Sequence, residues 1–238
     1  MILKGGYNYY GIPLGVISLE SYFPKPVGHI KNAASFNFPV LYKTVQGATV
    51  ARLIAERDPA LLEPFIQAAR ELEREGVRAI TGSCGFLALY QQEIASAVSV
   101  PVFMSSLIQV PLVSRMLGKG RKTGVVVANK QALTAAHLSG VGITNEAIVV
   151  AGMEDQAQFS HVILQGRHND LNMETFEQEL TDVVDQLLAQ NPDIGAIVLE
   201  CTDLSHFSPK LQQRFQLPVF DLTSLAKMVG TTLMPLAR

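Results

Sequence analysis

Two thiols, Cys84 and Cys201, lie at matching places in two copies of one local pattern. Cys84 follows an apolar run in ITGSCGF and Cys201 follows another in IVLECTDL. A Pro-Val-Phe segment comes after each, at Pro101–Phe103 and at Pro218–Phe220. The spacing is 117 for the cysteines (201 minus 84) and for the prolines (218 minus 101). Repetition of a strand, a thiol and a second strand at constant distance implies two half-sites facing each other, each supplying one sulfur. Such a pair can take a proton from one face of a carbon and return one to the other, with one thiolate as base and one thiol as acid. Where a strand ends and a helix begins, unpaired backbone N–H groups can lower a thiol pKa from its free value of about 8.5. The same groups can hold a carboxylate or a developing oxyanion. A structural disulfide is not expected in a reducing compartment, and inert burial would not duplicate the flanking strands.

The residues around the thiols differ between the copies. Ser83 and Gly85 flank Cys84, whereas Glu200, Thr202 and Asp203 surround Cys201. Gly85 permits close backbone approach, Thr202 offers a hydroxyl donor, and Asp203 can orient a donor or meet a substrate N–H. Glu200 is expected to point away from the thiol, because successive side chains leave a strand on opposite faces. Ser18 and Asn129, at the ends of the two opening strands, are the candidates for gripping substrate. His29 and His206 are open to either a pocket or a structural role. Neither a Rossmann nor a Walker pattern is present, GKGRKTG lacks the Walker spacing, and no histidine or cysteine spacing marks a zinc site. The expectation is therefore no cofactor and no metal.

The elements that must position these residues are short β-branched runs between longer helical patterns, the mark of parallel sheets with crossover helices. Strands are expected at 14–19, 77–81, 102–104, 123–128, 147–150, 194–199 and 219–220. Helices are expected at 59–75, 86–97, 106–116, 130–138, 173–189 and 224–233. The stretch 20–49 carries three prolines and two glycines and reads as a loop over a pocket or into a subunit contact. It could present Tyr22, Lys31, Asn32, Asn37 or Lys43. The stretch 154–172 reads as a polar connection. Gly118 and Gly120 mark a hinge between a first lobe (1–117, with 222–238 returning to it) and a second lobe (118–221).

Composition narrows the function. A formal charge of −2, from 19 basic and 21 acidic side chains, gives no case for a nucleic-acid or membrane surface. No segment approaches the about 20 apolar residues of a membrane span, and no secretory h-region is seen at the start. A cytoplasmic protein with a small ligand is expected.

TGSCG at Thr81–Gly85 and LECT at Leu199–Thr202 together resemble the two thiol segments of the aspartate/glutamate/hydantoin racemase superfamily. GIPLGVISLE, GHIKNAASFNFPVLYK and PVFDLTSL are similar to a less-studied branch of it, and the resemblance spans essentially the whole chain. It implies two pseudosymmetric α/β lobes with the active site between them, no cofactor, catalytic Cys84 and Cys201, and a homodimer. Glutamate and aspartate racemases usually carry Asn-Thr after the first thiol, where this chain has Gly85-Phe86. Glutamate racemases carry Thr-His after the second, where this chain has Thr202-Asp203. These departures move the expectation from glutamate toward aspartate, a hydantoin or another small acid. The implied activity is cofactor-independent racemisation at an α-carbon. The alternatives are a maleate-type cis–trans isomerase and a non-catalytic binding protein for a small carboxylate.

Overall fold

The computed structural model describes residues 2 and 5–234, so the last four residues of the returning segment lie outside the described part. Two four-stranded parallel sheets form the frame. The first contains β1 (Leu14–Glu20), β2 (Val40–Thr49), β3 (Ile80–Gly82) and β4 (Val102–Phe103), in the order β2-β1-β3-β4. The second contains β5 (Lys122–Val127), β6 (Ile148–Gly152), β7 (Ile194–Leu199) and β8 (Val219–Phe220), in the order β6-β5-β7-β8. The orders are the same, and so is the register beside each thiol segment. Ile80 pairs with Val102 as Ile197 pairs with Val219, and Thr81 with Phe103 as Val198 with Phe220. The duplication read from the sequence is thus a duplication of strand pairing, and the chain folds as two pseudosymmetric α/β lobes.

Strands covered on both faces need continuous apolar runs. In β1 all but Glu20 is buried, and in β5 all but Lys122. The helices α1 (Leu62–Glu75), α2 (Gln91–Ala97) and α3 (Val110–Met116) cover the first half. Helices α4 (Ala135–Gly140), α5 (Ala157–Phe159), α6 (Met173–Gln190) and α7 (Ser208–Phe215) belong to the second. Helix α1 buries Phe65, Ala68, Ala69 and Leu72 on one face and stops at Gly76, whose φ of 104° is the left-handed conformation that terminates helices. The last helix, α8 (Leu222–Leu233), packs Leu222, Leu225 and Ala226 against Leu14, Val16, Phe38 and Phe103 of the first half. No helix among the described residues is long and apolar enough to cross a membrane.

Three stretches differ from the sequence expectation. The stretch 20–49 is not all loop: its last ten residues form β2, paired along β1 at the sheet edge. An edge strand is half exposed, and VLYKTVQGAT shows neither a continuous apolar run nor clean alternation. Helix α4 starts at Ala135 rather than 130, because Asn129 Oδ1 accepts from Ala132 N in a turn and Thr134 caps the helix together with His137. The polar connection 154–172 contains α5 and a π-helical turn, Ser160–Leu164, which bury Phe159, Val162 and Ile163. Their i, i+3, i+4 spacing is helical, but it is embedded in a polar run.

Candidate active site

Each thiol sits just past the carboxyl end of its strand, where open α/β sheets bind ligands. Cys84 is followed by a 3-10 helix over Gly85–Tyr90 and Cys201 by one over Thr202–Phe207. The N–H two residues on, of Phe86 in one copy and Asp203 in the other, is directed at the sulfur. Both thiols are free and line one cavity between the lobes, with Cys201 5% exposed. The polar wall is Ser21, Lys31, Ser83, Glu200, Thr202 and Asp203. Leu19, Phe23, Val50, Ile54, Ala128 and Ile163 supply the apolar remainder.

The floor of the cavity joins the lobes by hydrogen bonds. Thr202 Oγ1 donates to Ser83 O at 2.7 Å, and Ser106 Oγ donates to Leu199 O at 2.6 Å. The cavity encloses about 20 Å³, space for about one water. A hollow of about 310 Å³ lies outside it and shares Ser21, Phe23, Val50 and Ile163 as its inner wall. Phe23 and Val50 of the first lobe and Ile163 of the second thus form the mouth between the cavity and this hollow. Val50 immediately precedes the π-helical turn Ala51–Ala55, and Ile163 belongs to the turn Ser160–Leu164. A larger groove of about 520 Å³ runs between α6 and α7, where Lys210 pairs with Glu177 and Arg214 with Asp185, and it holds neither thiol.

Charge is distributed unequally around the sulfurs. Cys201 Sγ donates to Asp203 Oδ2 at 3.6 Å, and Asp203 Oδ1 meets His29 Nε2 at 2.7 Å. His29 Nδ1 accepts from Lys31 N at 2.8 Å, which leaves the hydrogen on Nε2 to be donated to Asp203. Burial pushes Asp203 up, but the His29 hydrogen bond together with Lys25 and Lys31 outweighs it and holds the carboxyl below the usual range. Burial, then Asp203 and Glu200, drive Cys201 well above the ordinary thiol value. Cys84 is also driven well up, first by burial and then by Glu200, but the Phe86 N–H and the Lys31 ammonium oppose this. Lys31 Nζ donates to Leu19 O at 2.7 Å and Ser21 Oγ at 3.0 Å, and burial lowers its pKa against the pull of Asp203 and Cys84. Cys201 thus rests as a thiol held by a carboxylate, and Cys84 is the sulfur with a cation beside it.

The sequence-level candidates separate into two groups. Cys84, Cys201, Ser83, Thr202 and Asp203 come together at the cavity. Ser83 Oγ accepts from Leu19 N at 2.9 Å, which ties β1 to the first thiol loop. Ser18 is buried within β1 with its hydroxyl unpartnered among the described residues, and Asn129 is used by its own turn. Neither lines the cavity. Gly85 lies behind it, against Glu200.

Glu200 does not point away from the thiol. Leu199 is the last residue of β7 in register with β5, pairing with Val126, so strand alternation no longer governs the next position. Ala128 N donates to Glu200 Oε2 at 3.1 Å and draws the carboxyl into the cavity wall, where it is 0% exposed. A Cβ added at Gly85 would overlap both the carbonyl oxygen and the Oε1 of Glu200. Gly85→Ala is therefore expected to lower stability by about 1–3 kcal/mol, read as a lower midpoint in thermal unfolding. An unchanged midpoint would show that the lobes yield here.

His29, Lys31 and Glu200 are the functional candidates that sequence reasoning left unassigned or misplaced. His206 is no part of the cavity wall. It stacks on Phe207 and edge-on to Phe176, and burial lowers its pKa to about 4. Gly28, at φ 103°, passes within contact distance of the His206 backbone and brings the His29–Lys31 segment onto the second lobe. Among the described residues no group of three or more His, Cys, Asp and Glu side chains is arranged to hold a metal ion.

Comparison with known proteins gives the family. No family model matches the chain. A dimethylsulfoniopropionate lyase of Durusdinium sp. clade D is 32% identical over 215 residues, covering 87% of this chain and 70% of that protein. Dimethylsulfoniopropionate lyase 3 of Emiliania huxleyi is 30% identical over 231 residues, covering 93% of this chain and 60% of that protein. Among solved structures, a putative Asp/Glu racemase from Yersinia pestis superposes with a TM-score of 0.59 at 15% identity, over 93% of this chain and 99% of that one. Picrophilus torridus aspartate racemase gives 0.58 at 15% identity, over 92% and 95%. Unliganded arylmalonate decarboxylase gives 0.55 at 16% identity, over 93% and 92%. The paired sheets and their cleft thus have the same fold as these racemase and decarboxylase structures, and the chain belongs to the family of the dimethylsulfoniopropionate lyases.

Proposed function

We propose that this protein is a cofactor-independent lyase that eliminates dimethyl sulfide from dimethylsulfoniopropionate. The observation that carries the reading is the presence of both thiols in one closed, largely apolar cavity with a single lysine, Lys31, in its wall. Lys31 binds the substrate carboxylate. The methyl groups on the sulfonium fit against Leu19, Val50, Ile54 and Ile163. The Cys84 thiolate takes a proton from the carbon next to the carboxylate. The C–H electron pair becomes the carbon–carbon double bond of acrylate, the C–S bond breaks with its electrons going to sulfur, and the proton leaves from Cys84 to solvent. A thiol with a raised pKa is a stronger base once ionised, and the sulfonium brings the positive charge that favours ionisation. The substrate thus assists in forming its own base.

The hydrogen bond from Cys201 to Asp203 supports a second reading. It holds a thiol acid in the same cavity as Cys84, which is what cofactor-independent racemisation of a small amino acid or hydantoin requires. One set of assays separates the two. Dimethyl sulfide and acrylate formed from dimethylsulfoniopropionate in equal amounts support elimination. Solvent deuterium entering the α-carbon of an amino acid or hydantoin, with no dimethyl sulfide, replaces it with racemisation.

A further inference from the structure

We propose that Glu200 is a further catalytic residue, whose Oε1 carries a proton and donates it as a hydrogen bond to the substrate carboxylate while negative charge builds there. The inference rests on the reading that a proton is removed next to a carboxylate. Glu200 is fully buried, lines the cavity holding both thiols, and has its Oε2 occupied by Ala128 N–H. Its Oε1 has no partner among the described residues. With Oε2 accepting, Oε1, which lies against Gly85 next to Cys84, has the role of an O–H donor left to it. Removal of an α-proton from a carboxylate puts further charge on its two oxygens, and preorganised donors in a water-excluded site are worth most at that moment. Lys31 supplies one donor and Glu200 the other.

Several titratable groups face Glu200 or stand behind its neighbours. They are the thiols of Cys84 and Cys201 and the Asp203 carboxylate, with Lys31 across the cavity and His29 and Lys25 beyond Asp203. Burial raises the Glu200 pKa to about 8, against the Ala128 N–H that lowers it, with Asp203 raising it further.

Two variants test the role. Glu200→Gln keeps a donor for the substrate and an acceptor for Ala128 N–H, and turnover is expected within about tenfold of wild type. Glu200→Ala removes both and should lose about 10²-fold or more. Loss of turnover in a folded Glu200→Gln protein as complete as in Glu200→Ala would overturn the proposal, because the carboxylate itself would then be needed. Full activity in Glu200→Ala would overturn it too.

Two further measurements need no turnover, so they still decide if elimination itself fails. The contribution of Glu200 to wild-type stability falls as pH rises from about 5 toward 8, since the unfolded carboxyl ionises while the folded one keeps its proton. The thermal midpoint of Glu200→Gln should therefore gain on that of wild type over this range, and parallel midpoints would show an ionised Glu200. Propionate should protect the thiols from alkylation in wild type and Glu200→Gln, and much less in Glu200→Ala. Equal protection in all three would show that Glu200 does not meet the carboxylate.

Discussion

Cys84→Ser is expected to lower kcat for elimination by about 10²–10⁴-fold, with KM changed by no more than a few-fold. A serine hydroxyl ionises far above a thiol, so Lys31 and the Phe86 N–H would have no base to stabilise. The side chain barely changes size, and the fold should survive, as circular dichroism can check. Dimethyl sulfide release is the measurement, and activity above a tenth of wild type would remove Cys84 from the role of base. If racemisation is the reaction instead, Cys201→Ser should fall in the same range, because each face of the carbon then needs its own sulfur.

Replacing Lys31 by Met should reduce kcat/KM by about 10²–10³-fold, through both of its constants. The methionine keeps an alkyl stem of similar length, yet the bonds to Leu19 O and Ser21 Oγ vanish with the charge. KM should rise because the carboxylate loses its cation, and kcat should fall because the Cys84 thiolate loses the same one. The pH profile carries the sign. Burial lowers the Lys31 pKa, so its charge is present below that value and disappears above it, at a lower pH than for an exposed lysine. Activity of wild type should decline on that alkaline side. Lys25, lowered to about 8 by burial and stacked 3.4 Å over the Phe23 ring at the mouth, contributes to the same decline. In Lys31→Met only the Lys25 part should remain. A KM unchanged from wild type would place the carboxylate elsewhere.

The thiols and their strands were legible because they repeat. A constant spacing of two sulfurs and two Pro-Val-Phe segments specified paired half-sites, and the repeated β3–β4 and β7–β8 registers are its structural counterpart. The cavity wall was less legible because its polar members are not repeated. Lys31 was one of several polar residues in a long stretch, and the contact of Gly28 with His206 and the hydrogen bond of His29 to Asp203 bring its segment over the thiols. Glu200 was misread because alternation was carried one residue past the end of β7. Ile163 was hidden in a polar run, since a turn that buries three residues leaves little periodicity to detect. Residues that serve one site from both halves of a chain carry no local mark of that purpose.

The close contact of Gly85 with Glu200 bears on how relatives can diverge. In this chain the residue after the first thiol has no side chain, and the residue before the second fills the space with a carboxyl group. The two positions lie 115 apart (200 minus 85) and in different halves, yet they cannot drift independently. A descendant that gains a side chain at the first must shrink the second and set its halves slightly apart, because the carbonyl oxygen and Oε1 of Glu200 both fill the space of that Cβ. Lineages on this fold should therefore show the two sites as a reciprocal pair, bulky at one and small at the other. A switch between them would fill from the first half the space that this chain fills from the second, making this pair a natural point for one chemistry to give rise to another.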